Sequence, residues 1–418
     1  MDLLADLDAR GLIHDTTDRS ALETRLAHGP ITAYVGLDPT ADSLHVGHLV
    51  GQLMLRRLQL AGHKPISLAG GATGMIGDPG GRSDERNLLD PDTLAHNVAC
   101  ISKQLSQFID FEPGPYQARL VNNYDWTAPV TMLDFLRDVG KHFTVNQMVA
   151  RDSVKNRMEG ERGISYTEFS YMLLQAFDYK HLHDTLGCEL QMGGSEQWGN
   201  IVSGVDLIRR TSGGHAHALV HPLITRSDGV KMGKSTDGAL WLDPTKTSPY
   251  KFQQWFMQLP DADVSNFLLR LTLLPVDEIA EVVAAHAHAP HKREAQRRLG
   301  HEVTTLVHGI DASSNAAAAA NVLFGDDPRS ASLDVLGTVA TEVPTVDFHS
   351  GDDLITLLAR SVCTSNGDAR RTLSAGGISI NGEKQSETAE LRPETFLFGQ
   401  FAILRKGKAN YWVIKNTR

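Results

Sequence analysis

Short apolar runs alternate with helical periodicity through the first 225 residues, a pattern that points to a parallel sheet covered by helices. Ile31–Leu37 reads as a strand ended by Asp38-Pro39-Thr40. A helix is expected from near Ser43, with Leu49, Leu53 and Leu58 on its buried side. Pro65–Ala69 reads as a second strand running into Gly70-Gly71-Ala72-Thr73-Gly74, a turn whose glycines permit a tight bend. A helix over Asp92–Phe108, a strand at Arg119–Asn122 and a late strand at Leu219–Thr225 continue the alternation. The fold class is therefore α/β.

Past Pro249 the pattern becomes helical to about residue 320, with Leu268, Leu271, Leu273 and Leu274 followed by alanine-rich segments. Residues 321–346, with Asp326-Asp327-Pro328 and few aromatics, read as a linker. The last seventy residues are compact again. Helices are expected near Asp352–Arg360 and Asp368–Ser374, then a strand at Ile378–Ile380 and a tight turn at Asn381-Gly382. A hairpin over Phe401–Ile414 folds around Lys406-Gly407-Lys408. This gives an α/β domain over 1–248, a helical domain over 249–320, the linker, and a small α+β domain over 347–418.

A chain of 418 residues at −10 net charge looks unsuited to nucleic acid. The charge is uneven, however: residues 360–418 carry ten Lys/Arg against five Asp/Glu, leaving −15 on the remainder. A mildly basic module on an acidic body keeps an RNA partner open. No apolar run approaches the roughly 18 residues of a membrane span. The first 18 residues hold five aspartates and one arginine, unlike a secretory or transit signal. Cys100, Cys188 and Cys363 stand far apart without a CxxC pair, so no disulfide framework or cysteine zinc site is indicated and a reducing cytoplasm is expected.

Four segments carry chemistry. His45-Val46-Gly47-His48 opens a helix directly after a strand and turn, where free N–H groups and the helix dipole favour phosphate. Gly47 leaves room for a flat purine. Lys231-Met232-Gly233-Lys234-Ser235 places two lysines on a glycine-containing loop able to close over a triphosphate, and it is not a P-loop. Taken singly, each also fits a chance helix start or a solvated basic loop. In Tyr166–Asp178, Tyr171, Gln175 and Asp178 recur at i, i+4 and i+7 and share one helix face. A polar ligand or an internal hydrogen-bond network would satisfy that face. In Gln191–Asn200, Gly193-Gly194 permits close backbone approach beside Glu196, whose carboxylate can take ribose hydroxyls, although alone the segment also fits a tight strand-to-helix turn.

Together the HxGH and KMxKS segments resemble the two signatures of class I aminoacyl-tRNA synthetases, with Gly233 where serine is usual. With Tyr34-Val35-Gly36-Leu37-Asp38-Pro39-Thr40, Gly77-Asp78-Pro79 and Arg82 through Arg86, the chain resembles the bacterial-type tyrosyl-tRNA synthetase family from about residue 5 to 418. The resemblance implies a Rossmann-like catalytic domain, an α-helical domain over 249–320 that meets the anticodon arm, and a C-terminal RNA-binding domain of the ribosomal-protein S-four type. It implies that Tyr34 and Asp178 face the substrate phenol, beside Gly36. Asp78, Tyr171 and Gln175 would hold its ammonium, with Gln197 near the carboxylate. A site built for a hydroxyl rejects phenylalanine by leaving its own polar groups unpaired, a rule for which tyrosine-specific synthetases are themselves the standard example.

For ATP, the resemblance implies Asp38, Gly47, His48, Gly194 and Glu196 around adenosine, with Leu223 and Ile224 against the base. Most relatives have aspartate where this chain has Glu196. Thr40, His45, Arg82, Arg86, Lys231, Lys234 and Ser235 would surround the phosphates, with His48 also contributing to catalysis. Mg²⁺ is expected with ATP, and no metal ligands are expected from the chain. Arg370, Arg371, Lys406 and Lys408 would meet tRNA(Tyr), and homodimerisation is expected near Met132–Met148. The expected partners are thus L-tyrosine, ATP and tRNA(Tyr), with no membrane. A tryptophanyl-type synthetase and a catalytically silent RNA-binding relative remain the alternatives.

Overall fold

The computed structural model describes residues 2–80, 89–159, 163–225, 227 and 239–417. The chain forms two units, one of Met1–Thr247 with Leu259–Leu299 and one of Ser248–Gln258 with Gly300–Arg418. The helical stretch 249–320 is accordingly divided. Asp261–Leu271 and Val276–His288 belong to the first unit, and Ile310–Phe324 belongs to the second.

The first unit is built on six strands: β1 (Asp15–Thr16), β2 (Thr32–Leu37), β3 (Lys64–Ala69), β4 (Arg119–Asn122), β5 (Cys188–Gly194) and β6 (His217–His221). Their order is β1-β6-β5-β2-β3-β4. Strands β2 to β6 pair in parallel, and β1 closes one edge antiparallel to β6. Ala33, Tyr34 and Val35 of β2 are successive buried residues, as a central strand covered on both faces requires. From β2 the chain steps outward to β3 and β4, then returns on the other side as β5. The crevice beyond the carboxyl ends of β2 and β5 is thus the switch point where α/β sheets bind ligands.

Local chemistry explains where the elements depart from expectation. The first long helix spans Val46–Leu60 instead of starting near Ser43, because the Leu44 N–H donates to Gln104 Oε1 at 2.7 Å and His45 takes the cap. The late strand ends at His221, ahead of Pro222, which has no N–H for a ladder. Strand β5 escapes the sequence pattern because Glu189 and Gln191 interrupt its apolar run, although Gln191 is buried.

The second unit holds a five-stranded sheet of β7 (Thr345–Phe348), β8 (Ile378–Ile380), β9 (Glu383–Lys384), β10 (Phe401–Lys406) and β11 (Asn410–Asn416), in the order β7-β11-β10-β8-β9. Alternation along the central pair sends side chains to both faces. Ala402, Leu404 and Ile414 join a core with Leu354, Leu357 and Leu373 from the two helices Leu354–Ser361 and Asn366–Ser374. Ile403 and Val413 join a separate core with Ala319, Val335, Leu336 and Val339.

Residues 321–346, expected as a linker, therefore contain the helix Leu333–Glu342, which supplies part of that second core. Its apolar positions at i, i+1 and i+4 lack aromatics but still make a buried stripe. The Asn381-Gly382 turn has φ of 48° and 84°, the left-handed pair of a tight hairpin. The Asn381 side chain fixes it by donating to Thr395 O at 2.7 Å and accepting from Ile403 N at 2.8 Å.

Candidate active site

A cleft of about 280 Å³ opens at the carboxyl ends of β2 and β5. Strand β2 and the loop after it supply Tyr34, Gly36, Asp38 and Thr40, and the helix start supplies His45, Gly47 and His48. From the other side come Tyr171, Gln175 and Asp178 of the helix Tyr166–Leu186, all on the face that their spacing assigned. Asp78, Gly194, Glu196, Gln197 and Leu223 complete the expected set within the cleft. Ile224 is buried but is not among the described residues lining it. Arg82, Arg86, Lys231, Lys234 and Ser235 lie outside the described residues.

The two histidines are held by backbone. His45 is the N-cap of its helix, and its Nδ1 accepts from Gly47 N at 3.1 Å. His48 Nδ1 accepts from His45 N at 3.2 Å, and the rings stack with centroids 3.8 Å apart. A neutral ring whose Nδ1 accepts carries its proton on Nε2, so each imidazole is a donor at that atom. Burial also holds the His45 imidazole below its ordinary pKa, which keeps it a neutral donor.

The inner end of the cleft is built differently. The Tyr34 hydroxyl is buried without a hydrogen-bond partner among the described residues, which is costly unless a ligand pairs it. Asp178 is buried, and its two oxygens accept from Asn123 Nδ2 and Trp126 Nε1, each at 2.8 Å. Burial pushes the Asp178 carboxyl up to about 7, against the pull of those two donors. Burial, with the nearby Asp178 charge, also pushes the Tyr34 phenol well above its ordinary value, so it stays protonated. A protonated hydroxyl and a carboxylate together can give to and take from one ligand hydroxyl.

Nearer the mouth, Asp78 is buried, with Oδ2 accepting from Gln197 Nε2 at 2.6 Å and Oδ1 from Gly80 N at 2.9 Å. The Tyr171 hydroxyl donates to Asp38 Oδ2 at 2.8 Å. The Glu196 carboxylate lies against the bare Cα of Gly194, in space that a side chain at 194 would share. Among the described residues, no group of three or more His, Cys, Asp or Glu could hold a metal ion.

Thr73, Asn123, Trp126 and Gln191 support or line this cleft and were not singled out as site residues from sequence. Thr73 sits in the glycine-rich turn, which was a visible signal. Asn123 and Trp126 follow β4 at the start of and within the short helix Tyr124–Thr127, and nothing local marks them.

In the second unit, Arg370, Arg371 and Lys408 are exposed. Lys406 differs: its Nζ donates to Val362 O at 2.7 Å, closing the end of a helix, so its charge is partly engaged within the fold. Arg371 lies 3.6 Å from Asp368 but remains 79% exposed.

Residues 26–325 match the family model for tRNA synthetases class I (W and Y), and residues 336–414 match that for the tyrosine--tRNA ligase SYY-like C-terminal domain. A tyrosine--tRNA ligase of Opitutus terrae is 51% identical over 423 residues, covering 99% of this chain and 100% of that protein. One from Bacteroides fragilis is 48% identical over 434 residues, covering 99% of each. Among solved structures, a C-terminally truncated Aspergillus nidulans mitochondrial tyrosyl-tRNA synthetase superposes with a TM-score of 0.71 at 32% identity, covering 77% of this chain and 94% of that one.

Proposed function

The chain belongs to the class I tRNA synthetases of the tryptophan and tyrosine group, and from that membership we propose how its cleft selects and activates its amino acid. It is an aminoacyl-tRNA synthetase that charges tRNA with tyrosine. Synthetases of this class use ATP. The observation that carries the assignment of roles is the buried Tyr34 hydroxyl, unpaired among the described residues, at the end of a cleft that also contains the oriented carboxylate of Asp178.

In this reading the substrate phenol donates to Asp178 and accepts from Tyr34. Asp78, Tyr171 and Gln175 hold the ammonium, and Gln197 both fixes Asp78 and approaches the carboxylate. Thr40, His45 and His48 meet ATP with Gly47, Gly194, Glu196 and Leu223, and Mg²⁺ enters as part of the MgATP substrate. A tyrosine carboxylate oxygen attacks the α-phosphorus, forming the acyl–phosphate bond, while the bond to the β-phosphate oxygen breaks and diphosphate leaves. The attacking group is already ionised near neutral pH, so no general base is required. The histidine Nε2–H donors lower the barrier by facing the charge that grows on the phosphoryl oxygens. Arg82, Arg86, Lys231, Lys234 and Ser235 are assigned to the same phosphates by family position.

Residues 347–418, within the second unit, are assigned to tRNA through Arg370, Arg371 and Lys408. The first unit is assigned to a homodimer: Met132 and Leu133 are 72% and 79% exposed, with Leu136 and Val145 also open to solvent. Side chains of that size gain by being covered. No helix among the described residues is long and apolar enough to cross a membrane, and a cytoplasmic location is proposed.

The test is ATP–diphosphate exchange against each of the twenty amino acids, followed by charging of purified tRNA(Tyr). Exchange driven by tyrosine is expected. Exchange driven by tryptophan and not tyrosine would overturn the reading.

A further inference from the structure

Asp178, at the inner end of the cleft, and Asp38, on the ATP side, are joined by two buried side chains. The Asn123 Nδ2 donates to Asp178 Oδ2 at 2.8 Å and to Thr73 Oγ1 at 2.9 Å. Thr73 Oγ1 in turn donates to Asp38 Oδ1 at 2.7 Å. The direction of this chain is fixed. Asn123 Oδ1 accepts from Ala72 N at 2.7 Å, so the amide must turn its two N–H groups toward Thr73 and Asp178. With its oxygen receiving one of those, the single Thr73 proton goes to Asp38.

The other oxygen of Asp38 takes the Tyr171 hydroxyl at 2.8 Å. Asp38 is therefore tied to both ends of the amino-acid pocket, through Tyr171 at the ammonium end and through Thr73 and Asn123 at the phenol end. The packing leaves little slack: a Cβ at Gly70 would overlap both the Asp38 carboxylate and the Thr73 hydroxyl.

We propose that Thr73 and Asn123 are positioning residues that set Asp38 for ATP from the tyrosine side of the cleft. The proposal rests on the assignment of Asp38 to ATP and Asp178 to the phenol made above. When tyrosine engages Asp178 and Tyr171, the ties to Asp38 from both ends of the pocket are held, and ATP meets a carboxylate fixed in place. Without the relay, the position of Asp38 becomes independent of the phenol end. Two sites are coupled in this way only if cutting the connection changes the distant one.

Steady-state ATP–diphosphate exchange on the full chain tests it, with KM measured for each substrate separately. Thr73→Val keeps the shape and removes the hydroxyl. It should raise KM for ATP as well as for tyrosine, each about fivefold or more, and Thr73→Ser should restore both. Asn123→Ser cuts the chain one link earlier and should also raise KM for ATP; it decides the matter by itself if Thr73→Val does not fold. Asp38→Asn is the reference for the ATP side. If Asp38→Asn raises KM for ATP while the Thr73 and Asn123 variants move only the tyrosine value, the relay is overturned and the proposed function stands. If Asp38→Asn leaves KM for ATP unchanged, the assignment of Asp38 falls and the relay with it.

Discussion

Trp126 Nε1 donates to Asp178 Oδ1 at 2.8 Å while the same indole stacks on His181 with centroids 4.5 Å apart. The stack fixes the ring, so the N–H is already aimed at the carboxylate before any substrate arrives. Trp126→Phe keeps an aromatic face for His181 and removes only the donor. A hydrogen bond to a charged group is worth about 1.5–3 kcal/mol. KM for tyrosine should therefore rise about tenfold or more, with kcat changed much less, as steady-state exchange kinetics will show.

With Asp178 assigned to the substrate phenol, its carboxyl, pushed up to about 7 by burial, should make tyrosine binding depend on pH. The form that accepts from the substrate phenol is the ionised one, which predominates only above that value. Tyrosine affinity should therefore fall about tenfold between pH 8 and pH 6. The same shift acts on stability with a definite sign. A carboxyl whose folded pKa lies above its unfolded one favours folding at low pH, and this contribution fades as pH rises from the ordinary aspartate range through about 7. Bound tyrosine stabilises the ionised form, so it should raise the melting temperature more at pH 8 than at pH 6. Equal shifts at both pH values would mean that Asp178 does not titrate with the ligand.

His45 caps its helix through Nδ1, and the proposed mechanism gives its Nε2 to ATP. Asparagine is a good N-cap but cannot reach where Nε2 stands. His45→Asn should leave stability within about 0.5 kcal/mol of the parent. Tyrosyl-adenylate formation should drop by about 10²–10³, as for loss of one transition-state donor. His45→Ala should lose the same activity and about 1 kcal/mol of stability besides. Stopped-flow activation and chemical denaturation separate the two effects, and tyrosine affinity should be nearly unchanged in both variants.

What was legible beforehand was whatever a local rule could carry. The i, i+4, i+7 spacing of Tyr171, Gln175 and Asp178 put them on one face because helix geometry requires it. His45 and His48 are legible as candidates because a strand, a turn and a helix start in succession favour an anion there. The supports of these residues were not. Asn123 meets Asp178 from 55 residues away in sequence: the pairing of β3 with β4 sets Asn123 beside the turn after β3, and Asp178 arrives on the helix Tyr166–Leu186. The helix Leu333–Glu342 was hidden for a related reason: its stripe makes sense only once Ile403 and Val413 face it. Strand β5 is hidden in the sequence because Gln191 looks like a solvent residue until the cleft encloses it.

Leu133 is the most exposed of the large apolar side chains in the stretch assigned to the dimer. It contributes little to its own protomer, so a charge there should act on association and not on folding. Leu133→Asp should sediment as a monomer where the parent sediments as a dimer, with a melting transition that no longer depends on protein concentration. A monomeric parent would end the dimer assignment.

Arg370, Arg371 and Lys408 lie exposed and can be changed without disturbing either core of the second unit. Replacing all three with alanine should leave ATP–diphosphate exchange unaffected and weaken tRNA binding. Each lost phosphate contact also flattens the salt dependence of binding, by roughly one per residue in the log–log slope. Lys406 should behave differently. Because its Nζ closes the helix end at Val362, Lys406→Ala should cost stability as well as charge, which thermal melting will register. The triple variant should melt with the parent, so a weaker tRNA complex there reports lost contacts and not a loosened fold. Unchanged tRNA affinity and an unchanged salt slope in the triple variant would remove these three side chains from the RNA interface.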